Sequence, residues 1–248
     1  IGLGRISPMH IVPAVNLPQA ELVAVCDIVK EKAEKAADKY NCACYTDYKQ
    51  MLDNEKLDAV HICLPHYLHG AASMYAFGRG VNVLCEKPMT IELEEAEKCV
   101  SEAKRLNVIY GIIFQCRYNN SSVLVKNALT SGRLGKIISA RSVLTWKRAE
   151  DYYADSDWKG TWDKEGGGVV IDQAIHSIDL VNWFIESKAL KVSANIAKRS
   201  DKNILVEDTG EGLITYENGV KYGFYCMNNY GYDEPIEIRL FCEKGRVI

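Results

Sequence analysis

Residues 57–88 read LDAVHICLPHYLHGAASMYAFGRGVNVLCEKP, and this stretch decides the fold. The run LDAVHICLP is apolar, rich in β-branched residues and bounded by turn formers, which predicts a buried strand. HGAASMYAFGRG has helical spacing and stops on glycine, and NVLCEKP reads as a second strand ended by proline. Strand, helix and strand in succession imply a right-handed crossover, hence parallel strands covered on both faces.

The rhythm extends outward on both sides. ELVAVCD predicts a strand and VKEKAEKAADKYN an amphipathic helix; TIELEEAEKCVSEAKRLN predicts a long helix with Thr90 as N-cap, and VIYGIIFQ a further strand. Residues 1–117 are therefore expected to form a Rossmann-like, doubly wound parallel α/β domain. After about residue 120 the pattern changes. SVLVKNALTSG reads as a helix, KIISARSVLTWKR as a long strand, DYYADSDWKGTW as an aromatic loop and GGGVVIDQAIHSIDLVNW as an apolar helix. LKVSANIAKR, GEGLITYENG, VKYGFYCMNN and IEIRLFCEKGRVI then follow as strands without helices between them, and Asn218-Gly219 signals a hairpin. Residues 118–248 are expected to form an α+β domain with a largely antiparallel open sheet. The chain opens on IGLG and closes on GRVI, and these abrupt ends lead us to expect further residues beyond each.

Composition narrows the partners. The 248 residues carry 30 basic and 33 acidic side chains, well mixed, so there is no basic patch for nucleic acid. No apolar run reaches membrane-spanning length and no leader pattern is visible, so neither a membrane span nor a signal segment is expected. Nine cysteines, mostly within apolar stretches, suit reduced core thiols and a cytoplasmic setting. Cys42 and Cys44 are too closely spaced for a CxxC pair.

The polar residues of the apolar helix are the first candidate site. Asp172, His176 and Asp179 stand at i, i+4 and i+7, on one helical face. Buried charge must be compensated, so the stripe is a satisfied core network, a metal site or a catalytic site. A metal centre lacks a fourth ligand, and none is expected. Asp179, a turn further on, reads as bonding backbone or capping a neighbour. A second candidate lies at the start of the chain. Gly2, Gly4 and Ser7 occupy the positions of G-x-G-x-x-G, where glycines allow a tight turn and close approach of a pyrophosphate to a helix N-terminus. Asp27, at the end of the next strand, would accept from both ribose hydroxyls and repel a 2′-phosphate, favouring NAD over NADP.

Two further segments join these into a resemblance. CEKP, ending a strand of the first domain, resembles the Glu-Lys-Pro signature of the Gfo/Idh/MocA oxidoreductases, and GGGVVIDQAIHSIDLVNW is similar to that family's second signature. GLGRIS, LPHYLH, FQCRYN and SDWKGTW are similar too. The resemblance implies that Gly2, Gly4, Arg5 and Ile6 form the phosphate turn and that Asp27 contacts the ribose. It implies that Leu64, Pro65 and His66 pass the nicotinamide side, and that Gln115 and Arg117 lie beside the nicotinamide. It further implies that Glu86 and Lys87 are the signature pair, with Lys87 reaching ribose and substrate, and that Asp172 and His176 belong to the catalytic helix. Ser7 departs from the glycine pattern, yet serine can cap the helix that Pro8 starts; Pro13 is expected to shorten or kink that helix.

The chemistry stands beside the resemblance. Oxidising a secondary alcohol needs a base for the hydroxyl proton, which suits His176, and a cation for the developing alkoxide, which suits Lys87; Asp172 would orient the substrate. Tyr152, Tyr153, Trp158 and Trp162 offer an exposed loop for stacking on a sugar ring. The expected activity is hydride transfer between a sugar, sugar nucleotide or inositol-like polyol and a nicotinamide cofactor. Two alternatives remain open, an NAD-dependent glycosidase acting by transient oxidation and a non-catalytic cofactor-sensing regulator. A homodimer or homotetramer formed through the open sheet is implied by the resemblance. His61 is expected in the core, and His66 and His69 either cap a helix or meet the cofactor.

Overall fold

In the computed structural model, which describes residues 1–148, 151–154, 156–200 and 203–248, the chain divides into two units, Ile1–Ile113 and Phe114–Ile248. Asp155, within the aromatic loop read above, lies outside the described residues.

The first unit alternates helix and strand: α1 (Pro8–Asn16), β1 (Ala24–Cys26), α2 (Lys30–Tyr40), β2 (Ala43–Tyr45), α3 (Tyr48–Asn54), β3 (Ala59–Ile62), α4 (His69–Phe77), β4 (Asn82–Cys85), α5 (Leu93–Leu106) and β5 (Tyr110–Ile112). β3, β4 and β5 pair in parallel, in that order, and β1 pairs in parallel with β2. Ile1 links the two sheets. Its nitrogen donates to the His61 carbonyl and its carbonyl accepts from the Cys63 N–H, both at 2.8 Å, while the Gly2 N–H donates to Cys26. The α4 helix forms because His69, Ala72, Ser73, Ala76 and Phe77 repeat at i, i+3, i+4, i+7 and i+8, a stripe that is wholly buried. That stripe meets Val60, Ile62, Val83 and Cys85 of the sheet and Cys99 and Ala103 of α5.

Local details differ from the sequence reading. The short strand β2 and helix α3 were not anticipated. Thr90 does not cap α5; its hydroxyl donates to the Glu92 carbonyl, and the helix starts at Leu93. Ser7 likewise makes no capping bond, because its own backbone is already helical; its hydroxyl donates to the Gly4 carbonyl at 2.8 Å. Pro13 is accommodated inside α1, which spans nine residues.

The second unit holds α6 (Asn120–Thr130), β6 (Ile137–Thr145), α7 (Asp151–Ala154), α8 (Ile175–Ile185), β7 (Ala189–Ala197), β8 (Thr209–Tyr216), β9 (Lys221–Met227), β10 (Glu237–Cys242) and β11 (Gly245–Val247). The six strands form one sheet in the order β11-β10-β6-β9-β8-β7, antiparallel throughout except for the parallel pair β6 and β9. The final run read as a single strand is a hairpin, β10 and β11, turning at Glu243 and Lys244. The hairpin at Asn218-Gly219 forms between β8 and β9, with Gly219 at φ 86° and the Asn218 side chain accepting from the Val220 N–H. Ser177, Leu180, Val181, Phe184 and Ile185 give α8 a buried stripe that packs on the sheet beside Ala140, Leu144, Ile214, Tyr216, Tyr222 and Leu240. His176 and Asp179 flank that stripe and are half-buried.

Candidate functional site

The glycine turn of the first unit has two different glycines. Gly2 has φ 85°, and a Cβ there would stand 2.5 Å from the Cys63 carbonyl oxygen, so both the conformation and the neighbouring backbone demand glycine. At Gly4 a Cβ would meet nothing within 4 Å. The fold does not need a glycine at that point, and the space beside the backbone is open to a ligand. Gly4, Arg5 and Ile6 are exposed and lead directly into the N-terminus of α1. Asp27 anchors this turn, Oδ2 accepting from the Leu3 N–H at 2.7 Å and Oδ1 from the Val29 N–H at 2.9 Å. A carboxylate has about four lone-pair sites, so acceptor capacity remains for ribose hydroxyls. The residues therefore fit a dinucleotide.

The loops after β3 and β4 are tied together inside the same unit. His69 is wholly buried, its ring nitrogens 2.7 Å from the Pro88 carbonyl and 2.8 Å from the Leu64 carbonyl. His66 is buried at the start of a 3-10 turn (His66–Leu68), its ring 5.8 Å from that of His69. Leu64, Pro65 and Lys87 are half-buried. Glu86 turns toward α1, one oxygen 2.9 Å from His10 Nε2 and the other accepting from the Lys87 N–H at 3.1 Å. His61, expected as a plain core residue, also joins this group, its Nδ1 3.1 Å from His10 Nδ1.

In the second unit the apolar helix is not regular. It opens as a π-helical turn, Val170–Ala174, and becomes α-helical from Ile175, so the junction falls between Asp172 and His176. Single π turns inside helices recur at functional sites. The turn is fixed from below by Glu207, whose buried carboxylate accepts from the Gly168 and Val170 N–H groups at 2.8 and 3.1 Å. Burial raises the pKa of Glu207 despite these amides. Gly168 allows the contact, since a Cβ there would stand 1.8 Å from the Glu207 carbonyl oxygen. Asp172 is buried, and its Oδ2 accepts from the Tyr152 hydroxyl at 2.6 Å. Burial, and then the Asp172 charge, push the Tyr152 phenol well up, so it remains a donor.

Three expectations change here. Tyr153 is not exposed for stacking: its ring enters a small core with Ile204 and Val206, and its hydroxyl accepts from Asn228 at 2.8 Å. Tyr152, its neighbour, is the one that reaches Asp172. Trp158 is half-buried and Trp162 exposed, its indole N–H donating to the Leu205 carbonyl. Among the described residues Asp179 bonds no backbone; it pairs through both oxygens with Arg117, Nε to Oδ2 at 2.7 Å. Arg117 thus belongs to the second unit, within a 3-10 turn (Gln115–Tyr118) where Gln115 is exposed. Its guanidinium lies 5.6 Å from the Phe114 ring, which stands edge-on to His176 at 6.3 Å. Sequence reading missed Tyr152's bond, His10 and Phe114. For Tyr152 the only available signal was its place beside Tyr153, and α7 alone decides which ring turns inward.

Known proteins carry the same two parts. A family model described as an oxidoreductase family with an NAD-binding Rossmann fold matches residues 1–114, and the GFO/IDH/MocA C-terminal domain matches residues 123–248. The WlbA dehydrogenase of Bordetella pertussis, solved with NADH and UDP-GlcNAcA, superposes with a TM-score of 0.93 at 29% identity, over 99% of this chain and 76% of that one. Glucose-6-phosphate 3-dehydrogenase of Bacillus subtilis is 30% identical over 85% of this chain, which spans 61% of that relative's length. Inositol 2-dehydrogenase of Rubrobacter xylanophilus is 30% identical over 96% of this chain and 67% of its own. With an NAD-binding half and a C-terminal half that both match, the chain belongs to the Gfo/Idh/MocA oxidoreductase family.

Proposed function

We propose that this protein is an NAD-dependent dehydrogenase that oxidises a secondary hydroxyl of a sugar, sugar nucleotide or inositol-like polyol. The observation that carries the reading is the π-to-α junction that presents buried Asp172 one turn before His176, in a chain whose first unit holds the glycine turn and Asp27. When bound, the nicotinamide supplies the acceptor for the hydride leaving the substrate carbon. His176 takes the hydroxyl proton at a ring nitrogen, a task suited to imidazole near neutral pH. Lys87 stabilises the alkoxide that forms, and Asp172, oriented by Tyr152, accepts from a second substrate hydroxyl. The relatives named above, which act on glucose 6-phosphate and inositol, support this substrate class.

Asp27 supports NAD over NADP, because a 2′-phosphate would meet its carboxylate. The outer face of the six-stranded sheet, with Leu213 and Phe241 exposed, supports a homodimer or homotetramer. Nine free thiols, six of them buried, suit a reducing compartment such as the cytoplasm. A screen of sugars, inositols and nucleotide sugars for NADH formation finds the substrate. On that substrate, His176→Ala is expected to lose turnover by roughly 10²–10⁴-fold while binding NADH as before. Full turnover in that variant would overturn the assignment, and tightly held cofactor without net NADH would point to glycosidase chemistry instead.

A further inference from the structure

His10 lies on α1, just past the glycine turn, and is 7% exposed. No step of the proposed reaction uses it. Its Nε2 is 2.9 Å from Glu86 Oε1, and its Nδ1 is 3.1 Å from Nδ1 of His61 on β3. The Glu86 side chain is only 12% exposed, and its other oxygen accepts from the N–H of Lys87. A buried carboxylate needs an opposite charge within hydrogen-bond reach. Two facing imidazole nitrogens need one proton between them. A doubly protonated His10 meets both needs: Nε2–H goes to Glu86, Nδ1–H goes to His61, and His61 accepts on a lone pair.

We propose that His10 is a positioning residue, a buried imidazolium that holds Glu86 in place and through it the turn carrying Lys87. The inference rests on the reading of that turn as part of the cofactor and substrate site. Every charged or titratable group around His10 agrees. Burial opposes the charge of His10, but the adjacent Cys63 sulfur and the hydrogen bond to the Glu86 carboxylate outweigh it and hold its pKa up at about 9. Burial and the His10 charge push His61 down to about 4, which keeps it neutral as an acceptor. Glu86 is lowered, since the His10 partner outweighs its burial, with Lys87 adding to the effect.

Two measurements test this. In ¹⁵N-histidine-labelled protein, two-bond ¹H–¹⁵N spectra across a pH titration should show both His10 ring nitrogens protonated at neutral pH and one of them losing its proton near pH 9. His61 should show one lone-pair nitrogen throughout. A neutral His10 accepting from His61 at neutral pH overturns the proposal. Second, His10→Gln and Glu86→Gln are each expected to weaken NADH binding about tenfold, and the double variant no more than either alone, because both act through one contact. The native affinity should fall as pH passes 9, and that of His10→Gln should stay flat. Additive losses, or an identical alkaline fall in both proteins, overturn it. If the native protein binds no NADH, the cofactor reading fails, and the ring spectra still decide the state of His10.

Discussion

Tyr152 and Tyr153 are neighbours in sequence whose rings stand edge-on, 5.1 Å apart, yet whose hydroxyls go to different partners. Tyr153 is a core residue held by Asn228, whereas Tyr152 delivers its hydroxyl to Asp172. Tyr152→Phe removes one donor and keeps the ring, so Asp172 loses the bond that fixes its carboxylate. Turnover is expected to fall about tenfold, near the value of one hydrogen bond to a charged group, with NADH affinity unchanged. Steady-state kinetics with a fluorescence titration of NADH checks this, and an unchanged kcat/KM would deny Tyr152 a part. Residue types at the site were legible: the glycine turn, Asp27, Lys87, Asp172 and His176 were singled out as residues. Their partners were not. Arg117 and Asp179 lie 62 positions apart, and His10 and Glu86 lie 76 apart, distances at which no spacing rule operates.

Among elements, length and pattern governed what could be read. The unit β3-α4-β4 announces itself because a buried helical stripe sits between two apolar runs and ends at glycine. The three residues of β2 are too few to show a period, and the polar sequence around them reads as loop. The π turn leaves no trace in the pattern, because Asp172 and His176 keep the i, i+4 spacing of an α-helix while the backbone between them widens. Its support is testable through glycine. Gly168→Ala would drive a Cβ into the Glu207 backbone, which cannot move aside as a side chain would. A loss of about 3 kcal/mol is expected in denaturant unfolding. Gly4→Ala, in open space, should leave stability unchanged and weaken NADH binding, separating the glycine the fold requires from the one the ligand requires. Equal stability of the two variants would contradict this division.

At the level of the whole molecule, titration links the cofactor unit to stability. His10 is raised from 6.5 to about 9, so its contribution is fully present below 6.5 and is lost as pH rises through about 9. His61 is lowered from 6.5 to about 4, so the folded state binds fewer protons, and stability is lost as pH falls from 6.5 toward about 4. Glu86, also lowered, adds to the acid loss. The unfolding midpoint is therefore expected to peak near pH 6.5 and decline on both sides, with the alkaline decline reduced in His10→Gln. Thermal melts over a pH series check this; an alkaline limb unchanged in the variant would remove His10 as its source.

The parallel pairing of β6 with β9 has one more consequence. Chain that leaves β6 at Thr145 must re-enter β9 at its opposite end, Lys221, so everything between them is a detour from a continuous ladder. That detour contains α7, the π turn, α8 and the β7-β8 pair, and with them Tyr152, Asp172 and His176. Lengthening a connection costs only about 0.6 kcal/mol per doubling. At exposed turn positions such as Asp157 and Asp163 the excursion can thus be lengthened while the strand register at Thr145 and Met227 stays as it is, so a single sheet can carry successive versions of the loop that precedes the same pair of side chains.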